Sequence, residues 1–396
     1  MKWKNKGHEF DSMEKNFDNE NMRYYIWGAG TFGIAFYEAF CNEFSFVSFV
    51  DRDENKWGKV ICGMKVISPN DFIEQRKDEI VIVSTGMTKS AYDQLKLFGL
   101  TRHKDFYHID EVSSIYMMYK YNQVFVSDLT VNITQRCTLK CEYCNAFIPL
   151  ISNPVNFDID FIKKELELYF QWVDTVNVLG LVGGDAMSHP RFNDILRWIG
   201  DMYYPDRARH IEIYSNAVIK PGNETLELFK KYNIFYRFTD YYGNSGRQDV
   251  EGVTRILNEN AISYDHVKFT DWYDSGYPQK SNGIHSEEGL TGFFDACDRK
   301  SCHGIWGNKL FFCGMCLNAD WIDYCKIQET DYFDLNNIGG GVTKKEFIEY
   351  NLGYNEKGYM EYCKMCNGGL NVNTHKIEVG KQIKSTKGVK KEGKQS

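Results

Sequence analysis

The sequence predicts an α/β chain in three parts: a small parallel sheet, a longer run of alternating strands and helices, and a compact cysteine-rich module. Three observations carry this. A strand, a glycine-rich turn, a helix-like stretch and a second strand follow one another from Arg23 to Asp51. Strand-like and helix-like segments then alternate from Val124 to about residue 240, as βα units on a parallel sheet do. From about Phe293 to Leu370 the chain is rich in Cys and Gly and poor in long periodic segments.

In the first part, residues 23–28 read as a buried strand ending in glycine. Gly28-Ala29-Gly30-Thr31-Phe32-Gly33 follows, a G-x-G-x-x-G, with a helix-like stretch to about Cys41. Phe46–Val50 is a second strand ending at Asp51, and the apolar run Ile80–Val83 fits a further parallel strand. This order is the dinucleotide-binding arrangement. Gly28, Gly30 and Gly33 would let the backbone approach a pyrophosphate at a helix N-terminus, and Asp51 would accept a bond from a ribose hydroxyl. The alternative is a Rossmann-like domain over residues 23–115 whose glycines serve packing alone. A nucleotide or nucleotide-sugar is the ligand such a domain would take. Residues 1–22 are left as an N-terminal extension. Phe49-Val50-Asp51, Asn55-Lys56-Trp57-Gly58-Lys59 and Gly63-Met64-Lys65-Val66-Ile67-Ser68-Pro69 resemble the small Rossmann-like domains attached to bacterial sugar-modifying and polysaccharide-assembly enzymes.

The second part, residues 124–290, opens with the strand Leu129–Thr134. Ile159, Ile162, Leu166 and Phe170 share a helical face; Val176–Val182 is a strand ending in Gly183-Gly184-Asp185; His210–Tyr214 is a strand ending at Ser215-Asn216; Phe235–Phe238 is another. Such repeats predict a parallel sheet, here a partial (β/α)6 barrel of the TIM type. In these folds chemistry sits at the C-terminal ends of strands. The third part is assigned to residues 291–372, and the Lys-rich residues 373–396 are expected to form a disordered basic tail.

Composition excludes some functions. The net charge of −7, with seven Lys against two Glu in Lys376–Ser396, leaves an acidic body and no reason to expect nucleic acid as a partner. No stretch approaches the eighteen apolar residues of a membrane span, and the first twenty residues lack the apolar run of a signal peptide. A cytoplasmic location is the expectation, and there twelve cysteines call for an explanation other than disulfides.

Cys137, Cys141 and Cys144 form C-x3-C-x2-C. Three thiolates from one loop can hold three irons of a [4Fe–4S] cubane and leave the fourth open to a small molecule. Zinc would need a fourth ligand, and none lies in the loop. The run Asn132–Cys144, with Tyr143 before the third cysteine, resembles the radical S-adenosylmethionine superfamily. The resemblance implies that S-adenosylmethionine chelates the open iron, that one electron breaks its sulfonium bond, and that the resulting 5′-deoxyadenosyl radical abstracts a substrate hydrogen. Gly183-Gly184-Asp185 resembles the Gly-Gly-Glu motif that binds the amino group of S-adenosylmethionine, with Asp185 in place of Glu. Ser215-Asn216 is similar to the strand end that contacts its ribose, and Tyr143 would set its backbone near the adenine.

Cys297 and Cys313 flank a β-hairpin turning at Gly307-Asn308, and Cys363-Lys364-Met365-Cys366 would close a four-thiolate site. Four thiols fit structural zinc equally well. The order resembles the twitch form of the SPASM modules, which implies a second, auxiliary [4Fe–4S] cluster on Cys297, Cys313, Cys363 and Cys366. Cys302 is the rival to Cys297 as ligand, and otherwise a free thiol near the substrate; in an epimerase Cys302 or Cys316 could return a hydrogen atom.

An auxiliary cluster implies an oxidoreductase that turns an alcohol into a ketone, or an epimerase. Residues 237–243 and 271–276 look similar to enzymes of bacterial surface-polysaccharide clusters, which implies a sugar or nucleotide-linked sugar as substrate. Asp240 and Asp274 are the acids expected to take a proton or bind a hydroxyl, against ordinary turn chemistry. An electron donor such as flavodoxin or ferredoxin is the implied protein partner. Two other readings stand beside this one. One is a radical enzyme that matures peptides or proteins. The other is an NAD-dependent sugar enzyme with structural zinc.

Overall fold

A computed structural model describes residues 1–383 apart from 87, 242, 277–280 and 339. Six strands make the first sheet: β1 (Arg23–Trp27), β2 (Ser45–Val50), β3 (Val60–Ile61), β4 (Met64–Ile67), β5 (Ile80–Val83) and β6 (Phe106–His108). Their order is β3-β4-β2-β1-β5-β6, parallel throughout except for the β3–β4 pair. β5 is buried at all four residues and β1 at four of five, as strands covered by helices on both faces must be. The chain reverses its winding between β1 and β5, so the crevice of this sheet opens where Gly28 meets Ser84. Gly28 has φ +119°, and a Cβ there would lie 2.8 Å from Ser84 Oγ.

The second sheet has the order β11-β10-β9-β8-β7-β13-β14-β15. Its parallel core is β7 (Phe125–Thr134), β8 (Thr175–Gly183), β9 (Ala208–Ser215), β10 (Phe235–Asp240) and β11 (Tyr264–Lys268). The amphipathic helices Ile159–Tyr169, Phe192–Tyr203, Asn223–Lys231 and Val250–Glu259 connect these strands. Five parallel βα strands replace the expected six. The next segment, β12 (Asp271–Tyr273), follows β11 after two residues, too few for the crossover that a parallel neighbour requires. It turns away and pairs antiparallel with β16 (Lys376–Glu378). On the opposite edge β13 (Gly304–Trp306) joins β7 in parallel, and β14 (Lys309–Phe311) and β15 (Phe333–Asp334) follow antiparallel. Gly307 and Asn308, at φ +57° and +64°, make the hairpin turn. The cysteine-rich module thus grows directly from the edge of the βα sheet.

The N-terminal residues pack onto that module. The carboxylate of Glu349, 2% exposed, gathers Trp3 Nε1, Gly7 N and Glu9 N at 2.7–2.8 Å. The expected tail from residue 373 is ordered over its first eleven residues: Asn373 and Val379 are buried, and β16 lies between them. Lysine content suggested disorder, but Ile377 pairs with Trp272, and Val379 is a second apolar anchor. Residues 384–396 of that tail lie outside the described residues.

Candidate functional site

The three sequence motifs converge at the C-terminal ends of β7, β8 and β9. Thr134 and Gly183 end neighbouring strands and pair just past a β-bulge. Gly183 has φ +147°, and a Cβ on it would fall 2.3 Å from Thr134 O; at Gly184 a Cβ would fall 2.3 Å from Arg136 O and 2.9 Å from Cys137 Cβ. Only glycine allows this approach. It lets Gly184 N donate to Thr134 O and Asp185 N to Arg136 O, each at 2.9 Å. Ser188 Oγ donates to Arg136 O at 2.7 Å. The end of β8 is therefore bonded to the base of the cysteine loop.

Asp185 is 2% exposed. One oxygen accepts from Met187 N at 3.0 Å, the other from Ser215 Oγ at 3.1 Å and Asn216 N at 2.9 Å. Burial raises its pKa, and these donors hold it back. The shorter acid does not stand open toward a ligand amino group, as expected of it; it locks β8 to the end of β9. Asn216, expected at a ribose, turns its side-chain amide to the loop. Its Nδ2 lies 3.4 Å from Cys137 Sγ and 3.0 Å from Thr138 Oγ1.

Each loop sulfur faces N–H donors. Cys137 takes Leu139 N at 3.4 Å besides Asn216. Cys144 takes the backbone of Ile148 and Ala146. Cys141 takes Gln382 Nε2 at 3.1 Å. Burial pushes Cys137 up to about 12 and Cys141 up to about 11, and it raises Cys144 as well. At neutral pH these sulfurs stay protonated unless a cation displaces the proton. Tyr241 is raised first by burial and then by the charges of all three cysteines and Asp185, which places it beside the loop. Tyr143 lies in the turn between Cys141 and Cys144, half-buried.

The module's cysteines divide. Cys363 senses the charges of Cys313, Cys366 and Cys297; Cys313 senses Cys366 and Cys297; Cys366 senses Cys297. Gly369 N donates to Cys297 Sγ at 3.4 Å and Gly368 N to Cys366 Sγ at 3.2 Å. Cys302 is exposed as a residue, yet burial pushes its thiol up to about 12; it pairs by backbone with Cys313 and senses that charge. Cys316 is fully buried and senses Cys313, Cys325 and Cys363. Asn145 ties the two cysteine groups together: its side chain accepts from Ser275 Oγ at 3.0 Å and its carbonyl from Asn318 Nδ2 at 3.2 Å. Among the described residues no three His, Cys, Asp or Glu side chains gather around a single-ion position.

The two candidate acids differ. Asp240 ends β10, 3.3 Å from His266 Nε2, and lines a small cavity with Gly243, Arg247 and Gln248. Arg247 bonds Thr138 O, which ties that cavity to the cysteine loop. Asp274 caps its own turn by accepting from Gly276 N at 2.9 Å, and its carbonyl holds the amides of Asn367 and Asn373.

At the first sheet, Asp51 does not stand free for a ribose. It accepts from Ala29 N at 2.8 Å, Asp53 N at 2.9 Å and Lys56 Nζ at 2.9 Å, clamping the glycine turn to β2. Gly33 serves packing, since a Cβ there would lie 2.1 Å from Gly28 O; Gly30 faces open space. A cavity of about 1040 Å³ lies between this domain and the module, bordered by Thr88, Arg102, Glu111, Cys297, Lys300 and His303.

Sequence reasoning missed Gln382, Thr138, Arg247 and Gln248. Gln248 Nε2 joins Asn216 O to Thr239 O at 2.6 Å each. No local pattern marks any of the four.

No protein-family model and no curated protein matches the sequence. Among solved structures, BtrN in complex with AdoMet and 2-DOIA is similar over 65% of this chain and 98% of its own, at 15% identity and a TM-score of 0.43. Native anSMEcpe with bound AdoMet and Cp18Cys peptide is similar over 61% and 88%, at 11% identity and a TM-score of 0.38. Streptococcus suis SuiB bound to precursor peptide SuiA is similar over 71% and 77%, at 13% identity and a TM-score of 0.30.

Proposed function

We propose that this chain is a radical S-adenosylmethionine enzyme whose Cys137, Cys141 and Cys144 hold the [4Fe–4S] cluster, and that it oxidises or epimerises a sugar or nucleotide-linked sugar. One observation carries the reading: Gly184, Asp185 and Asn216, from two strand ends, are bonded to the loop of Cys137. Three thiols of one loop, each met by N–H donors, suit a soft, negatively charged iron–sulfur group. When bound, that group supplies the electron that cleaves S-adenosylmethionine.

The chain's own residues do the rest. Asp185 fixes Ser215 and Asn216, and Asn216 orients Cys137. Tyr241 and Gln248 wall the site on the side of β10. Asp240, paired with His266, is placed to take a proton at the strand end. Cys297, Cys313, Cys363 and Cys366 are the four sulfurs of the second cluster in this reading, which would accept the electron left by oxidation of an alcohol. Support for a sugar comes from the resemblance of residues 22–110 and of the segments 237–243 and 271–276 to sugar-modifying enzymes.

The test is incubation of anaerobically purified protein with S-adenosylmethionine and dithionite. Formation of 5′-deoxyadenosine is expected; its absence from protein with intact clusters defeats the radical reading. Repeating the assay with nucleotide-sugars and with peptides separates the substrate classes. Turnover of a peptide alone defeats the sugar assignment.

A further inference from the structure

Cys144 draws its hydrogen-bond donors from its own loop and Cys137 takes one from the loop and one from Asn216, whereas the donor to Cys141 comes from 241 residues away. After β16 the chain turns at Gly380, where φ is +63° and a Cβ would lie 2.6 Å from Tyr241 Cβ. It then runs along the outside of the cysteine loop. Glu142 N donates to Lys381 O at 2.7 Å, and Ile383 N to Lys140 O at 2.9 Å, around an antiparallel bridge between Cys141 and Gln382. Lys381 Nζ also pairs with Glu142 at 2.8 Å. Asn244 Nδ2 holds the approach by donating to Val379 O at 2.8 Å.

The orientation of the Gln382 amide is fixed by its partners. Its Oε1 accepts from Lys140 N at 2.8 Å, so Nε2 must face the other way, where it donates to Cys141 Sγ and, at 2.7 Å, to Gly380 O. A flipped amide would set an N–H against an N–H and a carbonyl against sulfur. The bond reaches the one loop cysteine that is buried, at 6% exposure.

Resting on the cluster reading above, we propose that Gln382 is a positioning residue for the three-cysteine cluster: residues 381–383 bridge antiparallel to the outside of its loop, and the Gln382 amide donates to the Cys141 sulfur. A donor to a ligand sulfur stabilises the reduced, more negative form and so raises the reduction potential. Partners of metal ligands also hold the metal, and their removal costs about 10–100-fold in affinity.

The experiment compares anaerobic holoenzyme with Gln382→Met, which keeps the side-chain length and loses the N–H, and with Gln382→Glu, which sets a carboxylate against the sulfur. The readouts are the potential of the cluster whose electron paramagnetic resonance signal changes on adding S-adenosylmethionine, and the rate of iron removal by a chelator. Gln382→Met is expected to move the potential to a more negative value and to speed iron loss from that cluster about tenfold. Gln382→Glu is expected to go further in both. Loss of that one signal while the other cluster remains also supports the proposal. Wild-type potential and wild-type iron retention in Gln382→Met overturn it. A wild-type protein without iron at Cys137, Cys141 and Cys144 overturns the cluster reading and this proposal together, a result distinct from an unchanged variant.

Discussion

The side-chain amide of Asn216 lies 3.4 Å from the sulfur of Cys137, while its backbone N–H donates to Asp185 at 2.9 Å. One residue at the end of β9 therefore joins the buried acid of β8 to the cysteine loop after β7. Its removal should loosen three strand ends at once.

Asn216→Ala deletes the donor to Cys137 and leaves Thr138 Oγ1 without this partner. A hydrogen bond to a charged group is worth about 1.5–3 kcal/mol. Formation of 5′-deoxyadenosine should fall about tenfold or more, at about 1.4 kcal/mol per decade. Asn216→Asp should fare worse, because its carboxylate would face the sulfur. The measurement is 5′-deoxyadenosine per bound cluster, so that lost iron is not mistaken for lost rate. An unchanged yield per cluster in both variants would rule out this role.

Gly184→Ala forces a methyl into the space 2.3 Å from Arg136 O. The obstacle is backbone held by Asp185 N, so it cannot swing away like a side-chain end. The cost should reach the upper end of overpacking, about 3 kcal/mol. Urea unfolding of iron-free protein checks it without the cluster contributing. Gly30→Ala, at a glycine with nothing within 4 Å, should cost far less and serves as the comparison.

What the sequence made legible follows from locality. The cysteine loop, Gly183–Asp185 and Ser215-Asn216 could be read because each is a contiguous run at a strand end, and parallel βα folding brings such ends to one edge. The partners of those side chains could not be read. Asp51 looked available because its rivals Ala29 N and Lys56 Nζ come from turns whose shape no short pattern encodes. The range 124–290 assigned to the barrel takes in β12, whose three residues cannot show where their hydrogen bonds go. Gln382 was hidden inside a Lys-rich tail, where composition argued for disorder and two apolar residues, Ile377 and Val379, decided otherwise.

Glu111 gives a prediction in pH. Its carboxylate, 3% exposed, is bonded by Arg102 Nη2 at 2.7 Å and His103 Nε2 at 2.9 Å. Burial alone would raise its pKa; the charges of Arg102 and then His103 overcome this and hold it well below the ordinary value. A carboxyl with a depressed folded pKa binds fewer protons folded than unfolded. Its contribution is complete above the unfolded value, about 4.3, and is lost as pH falls below it. Wild-type iron-free protein should lose stability from about pH 5 downward, and Glu111→Gln should flatten that part of the curve. Arg102→Met leaves the buried charge short of a partner and should cost about 3–5 kcal/mol near neutral pH. A double variant Arg102→Met/Glu111→Gln that recovered none of this would show that the charge is not the cause.

The last prediction separates Cys297 from Cys302. Both precede the hairpin of β13 and β14, and spacing alone does not choose between them. Geometry favours Cys297: it is buried, receives Gly369 N, and lies within electrostatic range of Cys313, Cys363 and Cys366, whereas Cys302 is exposed as a residue and, of those three, lies within range of Cys313. A [4Fe–4S] cluster with four protein thiolates tolerates the loss of one poorly, so Cys297→Ala should lower the iron content from about eight to about four per chain. Cys302→Ala should keep about eight and, if its thiol returns hydrogen to the substrate, should still form 5′-deoxyadenosine while altering the product. Iron and sulfide analysis of the two anaerobic proteins decides the first point, and product analysis the second. Loss of iron in Cys302→Ala with retention in Cys297→Ala would exchange the two assignments.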